Sequence, residues 1–215
     1  MLSREGSPVA VRINSNPMAH ASFVQPAVSD LLSETGVDHA QIQAVVVANG
    51  PGSYTGLRVG LASAKGLCYA WEVPLITLSS LAIMAAAIRQ PFFNQSETNL
   101  EGVLLAPMID ARRMEVFFAV YNNDNLQVIS EPNSAVVDQH FLADLLKKNT
   151  IYFTGDGALK WKAICKSPHA VFIDLPNTEF VFAQEAFQAA KLQRYADIAY
   201  AEPFYTKAFY STLKS

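Results

Sequence analysis

The chain has 215 residues, 51% of them hydrophobic and 16% charged, enough apolar material for one large domain or two small ones. Its net charge of −3 excludes the global basic field of a protein that grips nucleic acid unaided. Two cysteines, Cys68 and Cys165, lie far apart without metal-ligand spacing and read as reduced thiols of a cytosolic protein rather than as a disulfide.

The opening residues, MLSREGSPVAVRI, carry charge and a proline and lack the apolar stretch of a signal peptide. The longest apolar stretch, Leu78 to Ile88, is too short to span a bilayer. A soluble, cytoplasmic chain is expected. The turn residues Glu5-Gly6-Ser7-Pro8 predict a strand at Val9 to Ile13 leaving a hairpin whose first arm, Met1 to Arg4, is very short. From Ser22 to Glu34 the apolar positions Phe23, Val24, Ala27, Val28, Leu31 and Leu32 form a one-faced helical stripe, closed by Gly36. Ile42 to Ala48, IQAVVVA, is a β-branched-rich run interrupted only by Gln43, the pattern of a strand buried on both faces.

A second helix follows, with Leu57, Leu61, Ala64, Leu67, Cys68 and Trp71 on one side. Val73 to Thr77 reads as a strand, and Ser79 to Arg89 as a helix capped by Ser79 or Ser80. This β/α alternation predicts a sheet with helices packed on it. Residues 90–100 are polar and aperiodic, the mark of a linker. Beyond it, Val103 to Ile109 and Glu115 to Tyr121 predict two strands flanking Asp110-Ala111-Arg112-Arg113. Then come a turn at Asn122 to Asn125, a strand at Leu126 to Ser130, a helix at His140 to Lys148, a strand at Ile151 to Thr154, and a helix at Phe182 to Gln193. Glu202-Pro203-Phe204-Tyr205 reads as a docking segment. The expected organisation is an N-terminal lobe over 1–90, a second α/β lobe over 91–195, and a C-terminal docking tail over 196–215.

The informative segment is Asn49 to Gly60, NGPGSYTGLRVG, between a strand and a helix. Gly50 and Gly52 permit unusual backbone angles, Pro51 restricts the turn, and Ser53 or Thr55 can cap the next helix. Outward N–H groups at a helix start suit an anion such as a phosphate, which makes Gly50, Gly52, Ser53 and Thr55 candidate contacts. A bare strand-to-helix turn explains the spacing equally well. No Gly-Lys-Ser/Thr follows, and the dinucleotide spacing is absent.

The run Gly50 to Leu67, GPGSYTGLRVGLASAKGL, resembles the Gly-Pro-Gly-Ser-Phe/Tyr-Thr-Gly-Leu-Arg-Ile/Val-Gly signature of the TsaB family, once called YeaZ. Val73-Pro74-Leu75, Ser79-Ser80-Leu81 and Ile109 to Val116 are similar to further landmarks of that family. Thr154-Gly155-Asp156-Gly157 and Glu202 to Tyr205 fit later ones more loosely. The resemblance implies the actin-like, sugar-kinase and heat-shock ATPase fold of two related α/β lobes. It also implies a non-catalytic scaffold or activator subunit in forming threonylcarbamoyladenosine beside the tRNA anticodon. The implied partners are TsaD, which transfers the threonylcarbamoyl group, the ATPase TsaE, and functionally TsaC. A homodimer is a further expectation, with tRNA met only through the complex. No intrinsic cofactor is implied, although ATP or ADP could lie at the interface with TsaD.

In the family, two N-terminal-lobe helices pair with the partner's equivalents. Carried onto this chain, that surface comprises Phe23, Val24, Ala27, Leu57, Leu61, Ala62, Lys65, Gly66 and Tyr69. Small residues on a second helix face allow another helix to approach, but they also ease packing inside a domain. TsaD holds a metal through a His-x-x-x-His helix, whereas here His20 faces Val24 at that spacing. None of His20, His39, His140 and His169 lies four residues from another, so no metal or catalytic residue is assigned. Asp110, Arg112, Arg113 and Glu115 read as a charged turn rather than acid–base machinery, Asp156 as a turn aspartate, and Ser53 lacks a partner histidine. An independent ATPase or kinase of the same fold, and a metalloprotease, are the competing functional classes. Family members begin with a strand ending in Asp-Thr/Ser, then a turn and a second strand. This chain opens at what resembles the end of that second strand, so the expectation is an N-terminally shortened first lobe with unpaired ladder groups.

Overall fold

The structure, a computed structural model, describes residues 1–14, 20–93 and 102–206. Most of the linker expected at 90–100, the end of the expected tail and the His20 side chain lie outside the described residues. In the described part, β1 (Leu2–Arg4) and β2 (Ser7–Ala10) form an antiparallel hairpin. Its turn is Glu5-Gly6, with φ of 49° and 80°, the doubly left-handed geometry that two-residue hairpins favour. The turn is therefore tighter than the four-residue one expected, and the second strand starts two residues earlier.

Helix α1 (His20–Thr35) buries Ala27 and Leu31 along the expected stripe. A one-turn 3-10 helix (His39–Gln41), capped by the Asp38 side chain, delays the next strand, so β3 is Val45–Gly50. Helix α2 (Tyr54–Trp71) follows, then β4 (Leu75–Ser79), which pairs with β3 in parallel. Leu61, Ala64 and Cys68 of α2 close over Leu75, Val45 and Val47. Both cysteines are free thiols, Cys68 buried and Cys165 half-buried. Helix α3 (Ser80–Phe93) begins beside Ser79, whose hydroxyl accepts from the Ala82 N–H; Ser79 is the cap.

The larger sheet has the order β7-β6-β5-β8-β9, built from β5 (Val103–Asp110), β6 (Glu115–Asn122), β7 (Val128–Val136), β8 (Thr150–Thr154) and β9 (Ala170–Phe172). β5 runs antiparallel to β6 and parallel to β8. Strand β7 runs six residues past the expected Ser130, across Pro132. It tolerates that proline because β7 is an edge, where a missing ladder donor faces outward. The helix expected over His140 to Lys148 is only α4 (Ala143–Leu146), since Leu142 takes a left-handed φ of 53°. Helix α5 (Asp156–Lys162) and β9 had no expected counterpart.

One face of this sheet is packed by Phe141, Leu146 and Trp161 against Val116, Phe118, Val120 and Phe153. Trp161, 1% exposed, meets the rings of Phe141, Phe153 and Phe172 at 4.7–5.6 Å. Its indole N–H donates to the Asp138 carbonyl at 2.8 Å, satisfying the polar edge that burial would otherwise strand. Against Leu105, Ala119 and Tyr121 lie Leu81, Met84, Ala85 and Ile88 of α3. Helix α6 (Glu179–Lys191) in turn packs Val181 and Phe182 on Ile83, Ala86 and Ala87 of α3. Thus α3 and α6 each pack across the division expected at residue 90, and the apolar contacts there are continuous. Among the described residues no helix is long and apolar enough to cross a membrane.

Candidate functional site

Gly50 ends β3 with φ of 123°, and a Cβ there would stand 2.6 Å from the Phe204 carbonyl oxygen. Only glycine fits, for reasons of both torsion and space. Gly52 has no such restriction: a Cβ there would meet only Leu57, at 3.9 Å. Pro51 is buried and follows a cis peptide bond. Ser53 is the cap of α2, its hydroxyl accepting from the Gly56 N–H at 3.3 Å, whereas Thr55 lies inside the helix and is exposed. The expected docking segment reaches this loop, for the Phe204 N–H donates to the Asn49 carbonyl at 2.7 Å. The tail thus donates through the Phe204 N–H to Asn49 and sets the Phe204 carbonyl against Gly50.

The same tail builds a contact that sequence reading missed. Arg58 lies 4.4 Å from the Tyr54 ring centroid, its Nε donates to the Tyr205 hydroxyl at 3.2 Å, and the two tyrosine rings are 5.3 Å apart. Two turns on, Lys65 Nζ donates to the Ala199 carbonyl. The only available signal was Arg58 and Tyr54 four residues apart on α2, with an aromatic tail 147 residues later.

The implied interface residues divide sharply. Ala27, Leu57 and Leu61 are buried in the chain's own interior and offer nothing to a partner, a correction to the expected surface. They belong to the apolar stripe that the sheet claims first. Phe23, Val24 and Lys65 are half-buried, and Ala62, Gly66 and Tyr69 are exposed. Tyr69 is 85% exposed, and a Cβ built at Gly66 meets nothing within 4 Å. The outer face of α2 is thus a strip of small residues, Ala62, Gly66 and Ala70, with one projecting aromatic ring beside it.

The second landmark cluster is structural. Asp110 accepts from Lys160 Nζ and from the Arg112 N–H, and Asp156 accepts from the Asp110 N–H at 2.9 Å. This arrangement fastens the start of α5 to the β5–β6 turn, where Arg112, Arg113 and Met114 all have positive φ. The Lys160 ammonium holds the Asp110 carboxyl below its ordinary range, with the Arg112 N–H a smaller cause in the same direction. A group whose folded pKa is depressed stabilises the fold above the ordinary carboxylate range and loses that effect as pH falls through its own lower value. Asp110→Asn should therefore lower stability near neutral pH by less than about 1 kcal/mol, the pair being partly solvent-screened. The difference from the parent should vanish in acid, as urea melts across pH would check. An equal deficit at all pH values would refute it. Among the described residues no group of three or more His, Cys, Asp or Glu is placed to hold a metal ion.

Residues 16–209 match the family described as TsaD: tRNA N6-adenosine threonylcarbamoyltransferase. The tRNA threonylcarbamoyladenosine biosynthesis protein TsaB of Bacillus subtilis is 34% identical over 140 residues, 64% of this chain and 57% of that protein. The protein of the same name from Escherichia coli is 29% identical over 198 residues, 89% of this chain and 82% of that one. A crystal structure from Pseudomonas aeruginosa, titled an uncharacterized protein with similarity to peptidase YEAZ, superposes with a TM-score of 0.69 at 26% identity. That superposition covers 90% of this chain and 87% of the other. The alternating architecture and these likenesses agree with an actin-like α/β fold. The chain belongs to the TsaD family, in its TsaB (YeaZ) branch.

Proposed function

We propose that this chain serves threonylcarbamoyladenosine formation in tRNA as a scaffold and activator, pairing with TsaD through the outer face of α2 and engaging TsaE on the assembled pair. TsaC supplies the activated threonylcarbamoyl group in this scheme, and tRNA is bound by the complex. The observation that carries the reading is the exposed strip Ala62-Gly66-Ala70 beside Tyr69. Small residues let a second helix approach closely, and an exposed aromatic ring is a strong anchor when an interface closes over it. In contrast, the residues that first suggest chemistry are occupied structurally. The Ser53 hydroxyl caps α2, and Asp110 and Asp156 fasten α5 to the adjacent turn. The expected class is therefore a partner surface rather than an independent ATPase.

The test is reconstitution. The purified chain alone should neither turn over ATP nor form the modified nucleoside, whereas adding it to TsaD, TsaE and TsaC should raise nucleoside yield, read by mass spectrometry of digested tRNA. Robust product formation by the chain alone would overturn the scaffold reading. Unchanged yield on its addition would overturn the activator reading.

A further inference from the structure

Beyond α6 the chain folds back onto α2. The Ala196 N–H donates to the Leu75 carbonyl at 2.8 Å, and Ala196, Ile198 and Ala201 pack on Leu61, Ala64 and Cys68 of α2 and on Leu75. These contacts frame one tight turn. The Asp197 carboxylate accepts from the N–H groups of Ala199 and Tyr200 at 2.8 and 3.2 Å, and the Asp197 carbonyl accepts from the Ala201 N–H at 2.8 Å. An aspartate bonded to the backbone two and three residues ahead fixes a turn. Lys65 of α2 donates to the Ala199 carbonyl at 3.3 Å, so apolar packing holds the turn from below and α2 holds it from the side.

This anchored turn presents Tyr200 outward, 83% exposed. Among the described residues no Phe, Tyr or Trp other than Tyr200 and Tyr69 is as much as half exposed. Tyr54 and Tyr205, where the tail meets the start of α2, spend their rings on each other and on Arg58. Tyr69 and Tyr200 leave theirs to water. At about 100° per residue, the positions round α2 from its buried side run Lys65, Tyr69, Ala62, Gly66 and Ala70. Lys65 and Tyr69 are about 40° apart on that circle, and Tyr69 and Ala62 about 20°. Tyr200 adjoins the carbonyl that Lys65 holds, so the two exposed rings flank one contact along one border of the small-residue strip.

We propose that Tyr200 is a second aromatic anchor of the α2 surface, the Asp197 turn forming one wall of the site in which a helix of TsaD seats. The identity of the partner rests on the scaffold reading. The occupant follows from continuity: a helix lying on Ala62, Gly66 and Ala70 closes over Tyr69, and Tyr200 stands beside the same seam. Small residues admit a helix closely but offer it little area, which an aromatic ring held on a rigid turn supplies at low entropic cost. The complementary patch on TsaD is apolar, with a hydrogen-bond acceptor at its rim for the phenol hydroxyl.

The test is titration calorimetry of TsaD against the parent chain and its variants, each also melted alone. Tyr200→Ala should weaken pairing at least about tenfold, and Tyr200→Phe, which keeps the ring, should recover most of the loss. Both should melt as the parent does, because so exposed a ring contributes little to the fold. Phe180→Ala, which removes an exposed ring from α6, should leave the affinity unchanged. A benzoylphenylalanine photo-crosslinker placed at position 200 should form an adduct with TsaD. Undiminished pairing in Tyr200→Ala while Gly66→Glu fails to pair would overturn the proposal and leave the scaffold reading standing. Undiminished pairing in both would remove the α2 surface and the proposal with it. A lowered melting temperature in Tyr200→Ala would overturn it in favour of a role inside the fold, and adducts formed only between copies of this chain would overturn it in favour of a homodimer.

Discussion

Replacing Gly155 by alanine should remove roughly 3–5 kcal/mol of folding free energy, a large share of what a domain possesses. Its φ is 92°, and a Cβ would stand 2.2 Å from the Met108 carbonyl oxygen and 2.6 Å from Met84 Cε. Met108 is fully buried in β5, so the strand backbone cannot retreat without opening the aromatic core on one face or the α3 contact on the other. For a chain of this size the melting temperature should fall by about 10 °C, with much of the protein insoluble on expression. Gly36 is the internal control. It also has positive φ, 66°, but a Cβ there meets nothing within 4 Å, so Gly36→Ala should cost only about 1 kcal/mol. Thermal melts of the two variants side by side decide the matter. If Gly155→Ala melts no lower than Gly36→Ala, the close approach of α5 to β5 is not what the glycine serves.

If α2 carries the proposed pairing, Gly66→Glu should weaken association with TsaD by two orders of magnitude or more while leaving the chain folded. An unpaired carboxylate buried against a partner helix costs about 3 kcal/mol, and each 1.4 kcal/mol is a factor of ten. The substitution has room on this chain, because nothing lies within 4 Å of the added carbon. Glycine inside a helix is also unfavourable by roughly 0.8 kcal/mol relative to good helix formers. The variant should therefore melt slightly higher than the parent while failing to pair, a combination that misfolding cannot produce. Ala62→Glu, one turn earlier on the same strip, should behave alike without the thermal gain. Size-exclusion with light scattering, together with circular dichroism, reads both quantities. Pairing of undiminished strength in both variants would move the partner surface away from α2.

The reading of Asp156 shows how local pattern and tertiary placement divide the explanation. Two glycines around an aspartate suggest a flexible turn or a nucleotide contact. In the folded chain Gly155 and Gly157 are where the start of α5 presses onto β5, with Cβ positions 2.2 Å and 2.9 Å from its backbone. Asp156 spends its carboxylate on the Asp110 N–H. No window of sequence around residue 156 contains β5, so no local signal could distinguish a bend from a close approach. Helix α5 itself was missed for a related reason: its seven residues complete barely two turns, and its buried face, Gly157, Ala158 and Trp161, is defined only by distant parts of the chain that pack on it.

Periodicity and turn chemistry alone determined the β/α alternation of the first ninety residues, the inward stripe of α2, and the β5–β6 pair around its charged turn. These features depend on neighbours three or four residues apart, or on alternation along a strand, and that information is local. Tertiary structure alone decided which of the residues assigned to a partner surface stayed available to one. It drew Leu57 and Leu61 inside with Ala27 and left Ala62, Gly66 and Tyr69 to the surface. It also decided that the tail should close over Gly50 and set its Asp197 turn beside α2. Each of these outcomes depends on groups far apart in the chain meeting in space, where burial and ladder pairing are settled by whatever else has packed there.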